Sequence, residues 1–113
     1  MACDECGCDY DFRDYQYEAM RSFRPDTKGL TEQEAKAMLG SIGLAGEVGE
    51  CTEPVKKWFF HKKKKEAEVK AALREEIGDV LWYAACLADA FGLDLQEIAK
   101  HNIAKLKARY PDR

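Results

Sequence analysis

Three prolines and eight glycines in 113 residues are too few to punctuate the turns of an all-β domain. No segment alternates apolar and polar residues over a useful length, so a sheet lacks its main sequence support. No apolar run approaches the roughly 20 residues needed to cross a bilayer. The stretch Met1 to Asp9 also lacks the basic start and apolar core of a secretory leader. The expected location is therefore the cytoplasm, with no membrane partner. A cationic excess is missing as well. Eighteen Lys plus Arg stand against 21 Asp plus Glu, for a net charge of −3, so no overall field favours a nucleic-acid polymer. An anionic substrate would have to be captured locally, by particular side chains or a metal.

The five cysteines are an odd number. Cys51 and Cys86 sit in apolar periodic segments, where a free thiol behaves as a small hydrophobe. Cys3, Cys6 and Cys8 lie in MACDECGCDY, a segment without periodicity. A structural zinc site wants four ligands, and no further CxxC or HxxxH pair follows to supply them. Residues 1–11 are expected to form a mobile arm ahead of one domain over 12–113, a length too short for two independent cores.

What is present is helical spacing. Phe12, Tyr15, Ala19 and Phe23 mark a first helix that Pro25 ends. Thr31 and Glu34 have the form of a capping box, opening a second helix near Glu32. Its stripe runs through Ala35, Met38, Leu39, Ile42, Ala45, Val48, Thr52 and Val55 as far as Phe59, Phe60 and the run Lys62 to Lys65. Gly40, Gly43, Gly46 and Gly49 each lower helix propensity by up to about 1 kcal/mol, so packing must compensate, and small residues let a neighbouring helix approach. Pro54 cannot bond to the carbonyl of Glu50, which predicts a bend in that turn. Val69, Leu73, Ile77, Val80, Leu81, Ala84, Leu87, Ala88 and Phe91 define a third helix, buried along most of its length, with Gly92 as the C′ residue. Asp94 and Glu97 suggest a second capping box. It opens a fourth helix with Leu95, Ile98, Ala99, Ile103 and Leu106 inward and Pro111 as its stop. The expected architecture is an all-α four-helix bundle.

Two carboxylate pairs share one spacing. Glu47 and Glu50 are three residues apart on the second helix, as are Glu76 and Asp79 on the third, so each pair lies on one helical face. Apolar neighbours (Ala45 and Val48, Ile77 and Val80) turn these faces toward the bundle. Four converging carboxylates repel one another and lose solvation, so they either take up protons or bind a compensating cation. Oxygen-only ligation suits Mg²⁺, with Mn²⁺ as the alternative; these ions keep several waters and meet substrate phosphates. That is the chemistry of metal-assisted phosphoanhydride hydrolysis. A di-iron bundle would need Glu-x-x-His pairs, and the two histidines, His61 and His101, have the wrong spacing. The bland alternative is that such pairs are surface charges of an acidic helical chain.

The stretches GLAGEVGE (Gly43 to Glu50), EEIGDVLWY (Glu75 to Tyr83) and GLDLQEIAKHNIAKLKARYP (Gly92 to Pro111), with DYQYEA and KKWFFH between or before them, resemble the MazG-like nucleotide pyrophosphohydrolases. These belong to the all-α NTP pyrophosphatases, and the resemblance covers roughly Tyr15 to Pro111. It implies hydrolysis of nucleoside triphosphates, including deoxynucleotides and noncanonical nucleotides, to monophosphate and pyrophosphate with Mg²⁺. It further implies metal ligation by Glu47, Glu50, Glu76 and Asp79. The commoner family form EExxE has an acidic residue where this chain has Gly46, which bears on metal number.

The same resemblance assigns Asn102, Lys105, Arg109 and Tyr110 to a polar stripe that reaches nucleotide phosphates, although an exposed amphipathic face looks alike. Lys57 is the better phosphate candidate among the lysines, which otherwise form a solvated helix end. Tyr83, one turn after Asp79, can lie beside the metal cluster and a nucleoside. Trp58, Phe60 and Trp82 suit core or subunit interface better than base stacking. Gln16 can read a base edge through its amide or cap a neighbouring backbone group. A homodimer or homotetramer is expected, because a chain this short has little room for both a core and a closed pocket. Two other functions stay open: phosphoribosyl-ATP pyrophosphohydrolase and a noncatalytic helical interaction module.

Overall fold

The computed structural model describes residues 10–24 and 26–113. Most of the expected N-terminal arm with Cys3, Cys6 and Cys8, and the stop at Pro25, lie outside the described residues. Five helices follow in order: α1 (Phe12–Met20), α2 (Glu32–Glu50), α3 (Thr52–Phe59), α4 (Glu66–Ala90) and α5 (Leu95–Arg109). Among the described residues there is no strand, so the fold is all-α.

The expected second helix is divided. Cys51 keeps right-handed helical angles, φ −64° and ψ −24°, so the chain bends there without looping out. Pro54 is the third residue of α3 and is buried. With no N–H to offer the Glu50 carbonyl, it breaks the hydrogen-bond ladder where one turn must pass into the next. The bundle therefore has four helical arms, of which the second is bent into α2 and α3.

The ends of the helices are fixed by side chains. The Thr31 hydroxyl accepts from Glu34 N at 3.0 Å, and the Glu34 carboxylate accepts from Thr31 N at 2.9 Å. The backbone bond at Thr31 holds the Glu34 carboxyl below its ordinary range. A second such box, Asp11 with Asp14, opens α1. At α5 the reciprocal box forms only by half: Asp94 accepts from Gln96 N at 2.8 Å. Glu97 reaches instead to Arg13 of α1, at 3.1 Å, beside the 2.7 Å bond from Arg13 to Asp94. Arg13 is the stronger attractor, since a guanidinium charge outweighs a single backbone N–H. Gly92 ends α4 with φ +66°, and Leu93 N donates to Ala88 O at 2.9 Å, the left-handed cap the sequence predicts.

The main seam is α2 against α4. At Gly40 an added Cβ would lie 2.7 Å from Leu87 N, and at Gly43 it would overlap the Tyr83 ring. Two of the four α2 glycines thus permit the close approach, whereas Gly46 and Gly49 face open space. Lys36 clips the far end of the seam, bonding Asp89 at 2.7 Å and Glu32 at 2.9 Å. The α1 helix is tied down by Trp82 Nε1, which donates to Ala19 O (3.1 Å) and Ser22 Oγ (2.8 Å).

Burial is sparser than the periodicity suggests. Among the described residues the buried apolar set is Ala19, Phe23, Val69, Ala85, Cys86, Ala88 and Ala90. The α4 helix is buried only at Val69, Ala85, Cys86, Ala88 and Ala90, with Ile77 exposed. The α5 helix has no buried residue, and its expected inward residues Ile98, Ile103 and Leu106 are exposed. The physical reason is that α5 packs chiefly on α1, so most of its apolar stripe has no opposing helix among the described residues. Cys51 and Cys86 are free, and burial pushes the Cys86 thiol up.

Candidate active site

The α2–α4 seam brings carboxylates from both helices together. One oxygen each from Glu47, Glu76 and Asp79 lies within 4.8 Å of the others. Glu47 and Glu76 are half-buried, and Asp79 is exposed. Gly43, one turn before Glu47, admits the Tyr83 ring, one turn after Asp79. This contact sets the register in which Glu47 faces Glu76 and Asp79. Glu47, Asp79, Trp82 and Tyr83 line a cleft of about 390 Å³, with the two rings edge to face at 5.2 Å.

The electrostatics are those of crowded like charges. Burial, a side-chain hydrogen bond with Glu76 and the fields of Asp79, Glu76 and Glu50 push the Glu47 carboxyl above its ordinary range. Protonation relieves such repulsion, and so does a divalent cation. Oxygens around an octahedral ion at about 2.1 Å are about 3 to 4.2 Å apart. The trio, spread over up to 4.8 Å, must therefore draw together to meet a hard cation, and its oxygen-only donor set fits Mg²⁺ or Mn²⁺. The three carboxylates leave coordination positions for water and a phosphate oxygen.

Of the sequence candidates, the structure joins Glu47, Glu76, Asp79 and Tyr83. Glu50 is not part of the trio; it is exposed at the last position of α2, one turn beyond Glu47, and acts on it through its field. Gln16 is buried with its amide fully committed to backbone. It donates to Leu93 O (2.9 Å) and Ala85 O (3.4 Å) and accepts from Leu95 N (2.8 Å). Of the two readings open for Gln16, the structure shows the backbone one, in which it ties α1 to the α4–α5 turn. Lys57, Asn102, Lys105 and Arg109 are exposed, and none of them lines this cleft.

Two residues gain a place that helical spacing does not reveal. Tyr15 is half-buried, and burial, then the field of Asp79, raises its phenol. It approaches the cluster from α1. Trp82 lines the cleft while its N–H holds α1, so it is a wall of the site as well as a packing residue. In the sequence Tyr15 shows only as part of the apolar spacing of the first helix and Trp82 only as a core or interface aromatic beside Tyr83, and neither signal points to the cleft.

The model of the MazG nucleotide pyrophosphohydrolase domain matches residues 35–113, from within α2 to the end of the described chain. The chain is 37% identical over 70 residues to the Gene 37 protein of Mycobacterium phage L5, covering 61% of each. It is 36% identical over 70 residues to the uncharacterized protein YpjD of Bacillus subtilis (strain 168), covering 62% of this chain and 63% of that one. The chain thus matches less than two thirds of the length of these relatives. No solved structure matches it. With the family match spanning both acidic helices and the trio at their seam, the chain belongs to the MazG nucleotide pyrophosphohydrolase domain family.

Proposed function

We propose that the protein hydrolyses nucleoside triphosphates to nucleoside monophosphate and pyrophosphate, with Mg²⁺ or, as the alternative, Mn²⁺. Deoxynucleoside or noncanonical triphosphates are the expected substrates, and housekeeping of the nucleotide pool the expected role. The observation that carries this reading is the meeting of Glu47, Glu76 and Asp79 within 4.8 Å at the mouth of an aromatic-walled cleft. A bound divalent ion would neutralise phosphate oxygens and lower the pKa of a coordinated water.

The chain's own residues would then hold the ion, orient the water and seat the nucleoside. Glu47 and Asp79 face the cleft and Glu76 completes the ligand set, with Glu50 as an outer carboxylate. Tyr83 and Trp82 offer ring surface to the nucleoside. Hydrolysis breaks the α–β phosphoanhydride bond, and water supplies the oxygen and proton that the products need. Lys57, Asn102, Lys105 and Arg109 are the proposed phosphate contacts. Gln16 acts by anchoring α1, which carries Tyr15 toward Asp79.

A homodimer or homotetramer fits the surface. Met38, Leu39, Ile42 and Val48 of α2 and Ile98, Ile103 and Leu106 of α5 are all exposed in one protomer, more apolar surface than a stable monomer usually leaves. A second copy over these faces would enclose the cleft and bring the basic stripe of α5 closer to it. The deciding experiment incubates the protein with canonical and modified NTPs, dNTPs and phosphoribosyl-ATP, with Mg²⁺ or chelator, and resolves the products. Metal-dependent monophosphate plus pyrophosphate supports the proposal. Exclusive cleavage of phosphoribosyl-ATP favours the histidine-biosynthesis reading, and no cleavage of any of them favours the interaction module.

A further inference from the structure

The steepest charge contrast in the chain lies at the connection between α3 and α4. Lys56 to Lys65 holds six lysines and no carboxylate, so the remaining residues carry a net −9. Lys56 pairs with Glu53 at 3.1 Å. The side-chain ammonium groups of the other five, Lys57, Lys62, Lys63, Lys64 and Lys65, pair with no carboxylate among the described residues, and Lys65 meets Glu68 only through its backbone N–H at 3.1 Å. Three consecutive rings adjoin them, and their exposure rises along the chain: Trp58 43%, Phe59 54% and Phe60 73%.

Local structure gathers these groups onto one tip. Lys62 adopts φ +54°, a left-handed conformation that a non-glycine residue takes only when its surroundings impose it. It turns the chain so that Lys63 N donates to Lys57 O at 2.9 Å and His61 N to Lys56 O at 3.3 Å. Phe60 meets Phe59 edge to face at 4.9 Å and 87°, and Lys62 Nζ sits 5.2 Å from the Phe59 ring centre.

We propose that this tip docks on an anionic lipid bilayer, with Phe60 and Trp58 entering the headgroup region and Lys62, Lys63, Lys64 and Lys65 meeting lipid phosphates and carboxylates. Exposed aromatics beside unpaired lysines are what surface attachment to such a membrane uses. The expectation of no membrane partner rests on the lack of a spanning segment, which surface docking does not need. Single-stranded nucleic acid fits less well. A stacking platform needs open ring faces, whereas Lys62 Nζ lies over one face of Phe59 and Phe59 and Phe60 pack edge to face rather than side by side. Every cation of the segment is also Lys, which lacks the planar fork of Arg. A second copy fits less well too, because a two-fold contact brings the same patch against itself and would oppose six lysines to six.

The test floats the full chain with vesicles of neutral phosphatidylcholine, or of the same lipid with about 30% phosphatidylserine. Binding is expected only to the anionic vesicles and should weaken with salt. At about fivefold per lysine, Lys62→Gln/Lys63→Gln/Lys64→Gln should lower partitioning by about 10²-fold. Phe60→Ser should lower it by about tenfold or more. Brominated acyl chains should quench the wild type and not Trp58→Phe. Three results would each overturn the proposal. One is absence of binding to anionic vesicles at low salt. Another is tighter binding to a single-stranded oligonucleotide, with no bromolipid quenching. The third is a Phe60→Ser protein that sediments as a smaller oligomer, which would assign the rings to an interface between copies.

Discussion

Gly40 and Gly46 are six residues apart on α2 and lie on different faces of the helix, so the structure predicts opposite consequences for the same substitution. In Gly40→Ala the new Cβ would lie 2.7 Å from Leu87 N and 2.9 Å from Leu87 Cα. These are backbone atoms of a packed helix, so no rotamer change relieves the clash and α2 must move away from α4. Overpacking of this kind costs about 1–3 kcal/mol, against a helix-propensity gain of up to about 1 kcal/mol for Gly to Ala. The net expectation is a loss of up to about 2 kcal/mol. Gly46→Ala meets nothing within 4 Å and should gain up to about 1 kcal/mol. Gly43→Ala falls between them, because it strikes the Tyr83 ring, which can swing at a smaller cost but leaves its seat beside Asp79. With urea m-values of about 1–3 kcal/mol/M, Gly40→Ala and Gly46→Ala should differ in midpoint by roughly 1 M or more. Gly43→Ala should raise KM for the triphosphate more than its stability change suggests. Equal midpoints for Gly40→Ala and Gly46→Ala would refute the close α2–α4 seam on which the site geometry depends.

Glu47→Gln or Asp79→Asn should abolish turnover while far-UV circular dichroism stays unchanged, because each removes a ligand oxygen without opening a core cavity. Glu50→Gln should abolish turnover only if Glu50 moves into the ligand set, so its kinetics report the number of coordinating carboxylates. Mg²⁺ at 100 times its dissociation constant should stabilise the fold by about 2.7 kcal/mol, read as a shift in thermal midpoint that Glu47→Gln suppresses. Without metal, the raised Glu47 carboxyl makes stability fall as pH rises from the unfolded value of about 4.3 through the folded one. The sign follows because the native state holds the proton longer than the unfolded chain; Glu47→Gln should flatten that slope. Asp94 acts oppositely. Its hydrogen bond from Arg13 holds the carboxyl below its ordinary range, so its stabilisation is present above the unfolded pKa and is lost as pH falls through the folded one. Asp94→Asn should remove that acid dependence and expose the α5 amides to hydrogen exchange.

The helix pattern was legible because caps and stripes are local. Thr31 with Glu34, the left-handed Gly92 and the apolar spacing of α4 depend on neighbours within one or two turns. Glu47, Glu76 and Asp79 were legible from equal spacing on two helices, but the apolar flanks Val48 and Ile77 are exposed, and the trio meets because Gly43 and Tyr83 set the α2–α4 contact one turn away. What the sequence concealed depends on the choice between competing partners. Glu97 leaves its cap for Arg13, Gln16 spends its amide on three backbone groups, and Trp82 bonds α1 while walling the cleft. Each outcome is decided by a residue roughly 60 or more positions away, which periodicity does not see. Burial was overestimated for a different reason. An apolar stripe reports that a face wants cover, without saying whether this chain or a neighbouring copy supplies it.

The sparse core and the acidic trio bear on the same seam. The α2–α4 contact is the largest in the fold, yet its midsection places three carboxylates together, with Gly40 and Gly43 against α4 on one side and the bend at Cys51 on the other. Packing brings the helices close at Gly40 and Gly43, whereas beyond Gly43 the like charges of Glu47, Glu76 and Asp79, when ionised, oppose that approach. A cation would convert that repulsive end into an attractive one, so metal binding and closure of the seam should be a single linked event. The linkage carries a local signature that global stability does not. Amides of α2 from Gly46 to Glu50 should gain exchange protection on metal addition, while those near Gly40, already clamped against Leu87, should change little. Uniform protection along α2 would indicate instead that metal acts by stabilising the whole fold or by bringing copies of the chain together.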